Sequence, residues 1–335
     1  MSKVQKLRGF LLVLTVSLCV LSLVVSTASA APSVTLRLGI ETHPGQARNN
    51  SCEYWIDLIH KYSNNDIQID FFPSAVLGEP NEIMEGLVMG TVDLTVQGTG
   101  LVGGTIPAFN VIYLPYRWDS QAHLDRFLAT DKFEETMAGP LRERGINLIT
   151  SWERSPRHLL TRNLVVNQAS DVQGLMLRLP AARAPVIVWQ ALGTSTQTIS
   201  MTEIYSAMQQ GVVDAVESPL EALNGMGAPE VFKQLSFTRH VHDSEMVLIG
   251  ERARQKLTQE QYDIIVRAAI DTQKWTSERA LSDEQDFLKM FIETHGVSVT
   301  HPDLESFMLA TADVVKNFTE ELAPGLDEFI RSLGD

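Results

Sequence analysis

Side chains with chemical reach are unevenly supplied in this chain: 27 Lys and Arg stand against 41 Asp and Glu. Arg178 lies in Leu177-Arg178-Leu179-Pro180, a short strand-like run closed by proline and followed by a helical pattern. A guanidinium stays charged when desolvated and can grip a carboxylate through two parallel N–H donors. From position alone, Arg178 suits a structural ion pair rather more than a clamp for an anionic ligand. His240-x-His242-Asp243 has the spacing that would set two imidazoles on one strand face, as a metal requires. No third ligand stands nearby, so a surface or inter-lobe polar strand is expected and no metal is assigned.

Gly98-Thr-Gly-Leu-Val-Gly-Gly104 is glycine-rich and follows a strand pattern, but it lacks the Lys-Ser/Thr ending of a phosphate loop, and Pro107 follows where a helix should run. The chain has no G-x-S-x-G elbow, no H-E-x-x-H and no dinucleotide fingerprint, so no cofactor and no catalytic residue is assigned. Cys52 sits on an apolar helical stripe with Trp55, Ile56 and Ile59, which predicts a buried structural thiol.

The elements that must position these residues alternate. Val34 to Leu38 alternates at period two, Cys52 to His60 follows at helical spacing, and Ile67, Ile69 and Phe71 mark a second strand ended by Pro73. A helical pattern at Ile83 to Val88 and a strand at Val92 to Val96 complete βαβαβ, the pattern of a mostly parallel doubly wound sheet. The alternation repeats through strands at Ile146 to Ser151 and Gly174 to Leu179, a helix at Ala184 to Leu192, and a strand at Val212 to Val216. Ser200-Met-Thr-Glu203 predicts a capping box opening a helix that Gly211 closes, and Thr258 to Gln261 predicts another. From there the helical pattern runs towards His295, long enough to bridge two lobes. The fold class is therefore α/β, with two doubly wound lobes joined by hinge strands and a long bridging helix. The expected division is 31–155 with about 244–283 in lobe I, and 156–243 with about 284–335 in lobe II.

The 335 residues suffice for two lobes, and 44% hydrophobic with 20% charged residues is ordinary for a globular chain. Lys3, Lys6 and Arg8 precede an apolar stretch from Phe10 to Val25, and Ala28-Ser29-Ala30 is a small-x-small cleavage site. Residues 1–30 thus read as a signal peptide, and no later apolar run is long enough to span a membrane. Cleavage moves the net charge from -14 to -17, because the leader carries three basic residues and no acidic one. So acidic a chain is a poor partner for nucleic acid or anionic membrane.

Asp171-Val-Gln-Gly174-Leu-Met-Leu-Arg178-Leu-Pro180 resembles a segment of the solute-binding subunits of tripartite ATP-independent periplasmic (TRAP) transporters, the DctP-type family. Met201-Thr-Glu203-Ile-Tyr205 through Gln209-Gln-Gly211, Asp214 and Glu217-Ser-Pro219 is similar to a second family block. Phe72-Pro73-Ser74 with Leu77-Gly78, and Leu114-Pro115-Tyr116, are similar to two further landmarks, in order along the chain. The resemblance implies a periplasmic protein, not an enzyme, that encloses a small organic acid between two lobes and passes it to membrane permease subunits. It implies that Arg178 pairs with the ligand carboxylate and that Arg157 is the second family arginine. Glu41, Thr99, Met201, Glu217 and Ser218 fall at its other pocket positions. Ser218 stands where the family usually has Asn, and Met201 where it often has an aromatic residue, so the ligand need not be a familiar one. Glu41 and Glu217 would accept from hydroxyls, which favours a uronate or aldonate; an amino acid, a small amine or a dicarboxylate (with Arg157 or Arg183 as second cation) are alternatives. A periplasmic enzyme acting on a carboxylate is the rival from another class.

Overall fold

The computed structural model of the protein describes residues 31–334; the leader expected at 1–30 lies outside them. Two sheets carry the fold. Strands β1 (Val34–Gly39), β2 (Ile67–Phe72), β3 (Leu94–Gly98) and β4 (Ile146–Glu153) belong to the first. The second takes β5 (His158–Thr161), β6 (Met176–Leu179), β7 (Ser195–Thr198), β8 (Ala215–Ser218) and β9 (Gln234–Ser236). The chain then returns to the first sheet with β10 (Ser244–Gly250) and to the second with β11 (Ser298–Thr300). The orders are β2-β1-β3-β10-β4 and β11-β9-β5-β8-β6-β7. Within each sheet a parallel trio holds the helical crossovers, β2-β1-β3 and β7-β6-β8, while β10 and β5 run antiparallel to their neighbours.

Period-two alternation places the cores. Met246 and Leu248 of β10 face one apolar cluster, with Phe109, Phe127 and Trp118; Val247 and Ile249 face the other, with Trp55, Ile59 and Trp152. In β5, Leu159 and Leu160 likewise point to opposite faces of the second sheet. Cys52 is fully buried in the first sheet's core beside Trp55, as its stripe predicts.

The long helix Gln259–Glu293 opens with the expected capping box, Thr258 and Gln261 each bonding the other's backbone N–H. Its 35 residues extend roughly 50 Å. Ile265 and Ala268 pack into the first sheet's core and Phe291 into the second's, so the helix bridges both. Two extended segments, 154–157 between β4 and β5 and 237–243 between β9 and β10, cross between the sheets and touch where Arg157 N–H donates to the Val241 carbonyl at 3.1 Å.

Two expectations need correction. Ser200 does not cap a helix: its hydroxyl meets the Glu203 carboxylate at 3.1 Å, and the helix begins a turn later, at Ile204–Gln210. Gly211 does close it, in the left-handed region at φ 72°. His240 to Asp243 is no strand, although it does lie between the lobes as one alternative expected, with His240 buried in the second crossing. The last two helices contribute to more than one core: Phe307 of Leu304–Leu322 joins the second sheet's, while Val315, Phe318 and Ile330 join a cluster shared by Phe109, Phe127, Ala184 and Val188. Arg117 donates to Asp327 at 2.5 Å, tying the C-terminal helix Leu326–Ser332 to the first lobe.

Candidate functional site

Parallel strands deliver their C-terminal ends, and the loops that leave them, to one edge of a sheet. Here the ends of β1, β3, β6 and β8, with the first crossing and the long helix, enclose a cavity of about 160 Å³. Arg178, Arg157, Met201, Ser218 and Glu41 line it; Glu217 and Thr99 do not.

Arg178 ends β6 and is 3% exposed. Its Nε and Nη2 both donate to the Ile199 carbonyl, at 2.9 and 2.5 Å. Among the described residues no carboxylate pairs with it, and burial pulls its pKa down to about 10, leaving it charged at neutral pH. The guanidinium is thus anchored by a neutral acceptor while its charge stays uncompensated at the cavity wall.

Arg157 is also buried, but its charge is paired within the fold, through Nε and Nη2. Nε donates to Glu217 Oε2 at 2.6 Å, and Nη2 to Oε1 and the Glu217 carbonyl, both at 2.8 Å. Burial works against the charge, yet Glu217 holds Arg157 more firmly protonated than usual. Burial likewise opposes ionisation of Glu217, but Arg157 and His240 outweigh it and carry the carboxyl to about 2. His240 Nε2 lies 3.0 Å from Glu217, and its Nδ1 lies 2.8 Å from the Thr238 hydroxyl. Glu217 therefore sits behind Arg157 and offers the cavity nothing, contrary to the ligand contact expected of it.

The remaining wall is acidic. Arg48 bridges Glu41 and Glu245, and Arg154 lies 3.1 Å from Glu245, 3.6 Å from Asp243 and 3.9 Å from Glu221. The Thr99 hydroxyl is spent on Asp243, and Thr99 is not among the residues lining the cavity. Glu41 Oε2, Asp243 Oδ2 and the Tyr113 hydroxyl are buried without a hydrogen-bond partner. Arg48, Arg154, Glu245 and Tyr113 were not legible as cavity residues, since their partners are distant in sequence and no local pattern marks them; Asp243 stood out only in the His240-x-His242-Asp243 spacing. Arg183 is half-exposed, paired with Glu321, and outside the cavity lining. No group of described residues has the make-up of a metal site.

The family model for bacterial extracellular solute-binding protein, family 7 (DctP) matches residues 38–322. The chain belongs to that family. The family 7 chain is 30% identical to the sialic acid-binding periplasmic protein SiaP of Vibrio cholerae, over 90% of this chain and 95% of that protein. It is 22% identical to the 2,3-diketo-L-gulonate-binding periplasmic protein YiaO of Escherichia coli, over 96% of this chain and 97% of that one. A solved TRAP periplasmic solute-binding protein from Actinobacillus succinogenes, with bound L-galactonate, is 27% identical. Their folds agree with a TM-score of 0.83, over 89% of this chain and 98% of that one. The family 7 chain is thus a DctP-type solute-binding subunit of a TRAP transporter, with binding proteins as its relatives. No helix among the described residues is long and apolar enough to cross a membrane.

Proposed function

We propose that the protein captures a hydroxylated monocarboxylate, a uronate or aldonate, in the inter-lobe cavity and releases it unchanged to the TRAP permease subunits. One observation carries this reading: the buried Arg178 guanidinium, anchored by Ile199 and lacking a carboxylate partner, lines the cavity. A buried cation is costly until paired, so an entering carboxylate is favoured there. Arg157, oriented by Glu217 and His240, supplies a second donor. Ser218, Glu41 and the acidic wall accept from hydroxyls, while Met201 packs on the carbon chain. Sialic acid, 2,3-diketo-L-gulonate and L-galactonate, the ligands named for the relatives, are all hydroxylated carboxylates, which supports the assignment. In this reading the chain is exported, cleaved after Ala30, and works in the periplasm without catalysing a reaction.

A second reading follows from the orphaned oxygens of Glu41 and Asp243, which would also suit an ammonium group. Thermal-shift screening against sugar acids, amino acids and amines separates the two. A ligand at a hundred times its Kd stabilises by about 2.7 kcal/mol, a shift of a few degrees for a chain of this size. Hits among sugar acids support the proposal; hits confined to amines reject it. Recovery of the bound acid unaltered would separate binding from turnover.

A further inference from the structure

A cavity built for an anion should not repel one, yet seven carboxylates and five guanidinium groups line this one. The excess gathers around Glu221, in the first turn of the helix Leu220–Gly225 that follows β8. Arg154, on the first crossing, is its nearest cation but is shared: Nε meets Glu245 at 3.1 Å, Nη1 lies 3.6 Å from Asp243, and Nη2 lies 3.9 Å from Glu221, beyond hydrogen-bonding reach. Arg157 is committed to Glu217, and Arg48, from the helix Ala47–Tyr62, to Glu41 and Glu245. On the long helix, Arg279 pairs with Asp283 at 3.3 Å. Asp243, on the second crossing, keeps a buried oxygen without a hydrogen-bond partner. Glu79 and Glu153 also line the cavity, leaving Arg178 as its unpaired cation.

We infer that Glu221 completes the site as a neutral carboxylic acid, taking up a proton from solvent as the ligand carboxylate enters, so that capture is proton-linked. The inference rests on the reading of the ligand as an acid. Burial, opposed by Arg154 and by the residue's own amide N–H, raises the free carboxyl to about 7. A further negative charge in the cleft, and the expulsion of water as the lobes meet over it, push in the same direction. A carboxyl is both donor and acceptor, whereas a carboxylate only accepts. The protonated Glu221 therefore offers the ligand a donor that a carboxylate cannot.

The experiment is calorimetric titration of the protein with L-galactonate at pH 7 and pH 8, in buffers of different ionisation enthalpy. A group titrating near 7 is about half-protonated at pH 7, so uptake should be about half a proton there and approach one at pH 8. Affinity should fall towards tenfold per pH unit above 7, and Glu221→Gln should remove both the uptake and the pH dependence. Binding without uptake, or uptake that persists in the Gln variant, overturns the inference. If no sugar acid binds, the ligand reading fails, and the free protein still decides the state of Glu221. A carboxyl raised on folding opposes stability as pH climbs from about 4.5 to 7. Glu221→Gln should then melt higher than the parent at pH 8 than it does at pH 5, relative to that parent. An equal difference at both pH values excludes a proton on Glu221.

Discussion

Arg178 and Arg157 meet the same physical problem, a guanidinium taken out of water, in opposite ways. Arg157 has its counter-ion within the fold, in Glu217; Arg178 has only the Ile199 carbonyl. Removing one partner of a buried ion pair costs about 3–5 kcal/mol, so Arg157→Ala should lower folding stability by that order in chemical denaturation. Arg178→Ala removes a cation with no internal partner and should leave the free protein as stable or more so. It should weaken L-galactonate binding by about 2–5 kcal/mol in calorimetry, and undiminished affinity would end the clamp assignment. Glu217 also sets a pH response. Its folded pKa of about 2 lies below its ordinary 4.5, so it stabilises the fold above 4.5 and loses that contribution as pH falls towards 2. Glu217→Gln should flatten the stability profile within that window. His240, lowered by burial, acts in the same direction, its contribution fading as pH falls below 6.5. The place of Arg178 at the cavity wall was readable because its strand end and following proline are local. Thr99 was misread because the hydroxyl that a strand end seems to offer is spent on Asp243, 144 residues away. Glu217 was misread because successive strand residues face opposite sides, and only packing decides that Ser218 meets the cavity.

At the scale of elements, one sequence pattern had two outcomes. Thr258 and Ser200 each stand three residues before Gln or Glu, and both spell a capping box. Thr258 accepts from the Gln261 N–H at 3.2 Å and starts the long helix. Ser200 lines the cavity, spends its hydroxyl on side chains, and leaves the helix to begin at Ile204 without a side-chain cap. Loss of a working N-cap costs about 1 kcal/mol. Thr258→Ala should therefore lower the unfolding free energy by about that much, and Ser200→Ala should leave it within error. Equal losses in the two variants would restore the cap reading of Ser200. Alternation and helical spacing made the strands and helices readable, since both periods are local. The lobe to which the C-terminal helices belong is less readable, for the converse reason. An amphipathic face states that it must be covered, but not by which core, and Val315, Phe318 and Ile330 find theirs beside Phe109 and Phe127.

For the whole molecule, function depends on how closely the two lobes can meet over a ligand. Gln46, just before the helix Ala47–Tyr62 on the first lobe, reaches Gly225 at the end of the helix Leu220–Gly225 on the second. A Cβ at Gly225 would lie 2.4 Å from Gln46 Cγ and 2.6 Å from Nε2, well inside contact distance. Gln46 has little freedom to yield, since its Oε1 accepts from the His43 N–H at 3.1 Å and the side chain is buried. A larger side chain at 225 must therefore hold the lobes apart. Overpacking of this kind costs typically about 1–3 kcal/mol, which corresponds to about five- to 150-fold in an equilibrium. If capture is a hinge closure, Gly225→Val should weaken L-galactonate binding by that range while Arg178 remains intact. The loss should fall on dissociation rather than association, because encounter with the open cleft is unaffected. Small-angle scattering supplies the independent readout: the parent should contract on adding ligand, and the Val variant should contract less. A variant that binds as tightly and contracts as far as its parent would show that the Gln46–Gly225 contact plays no part in closure, and that the lobes meet elsewhere.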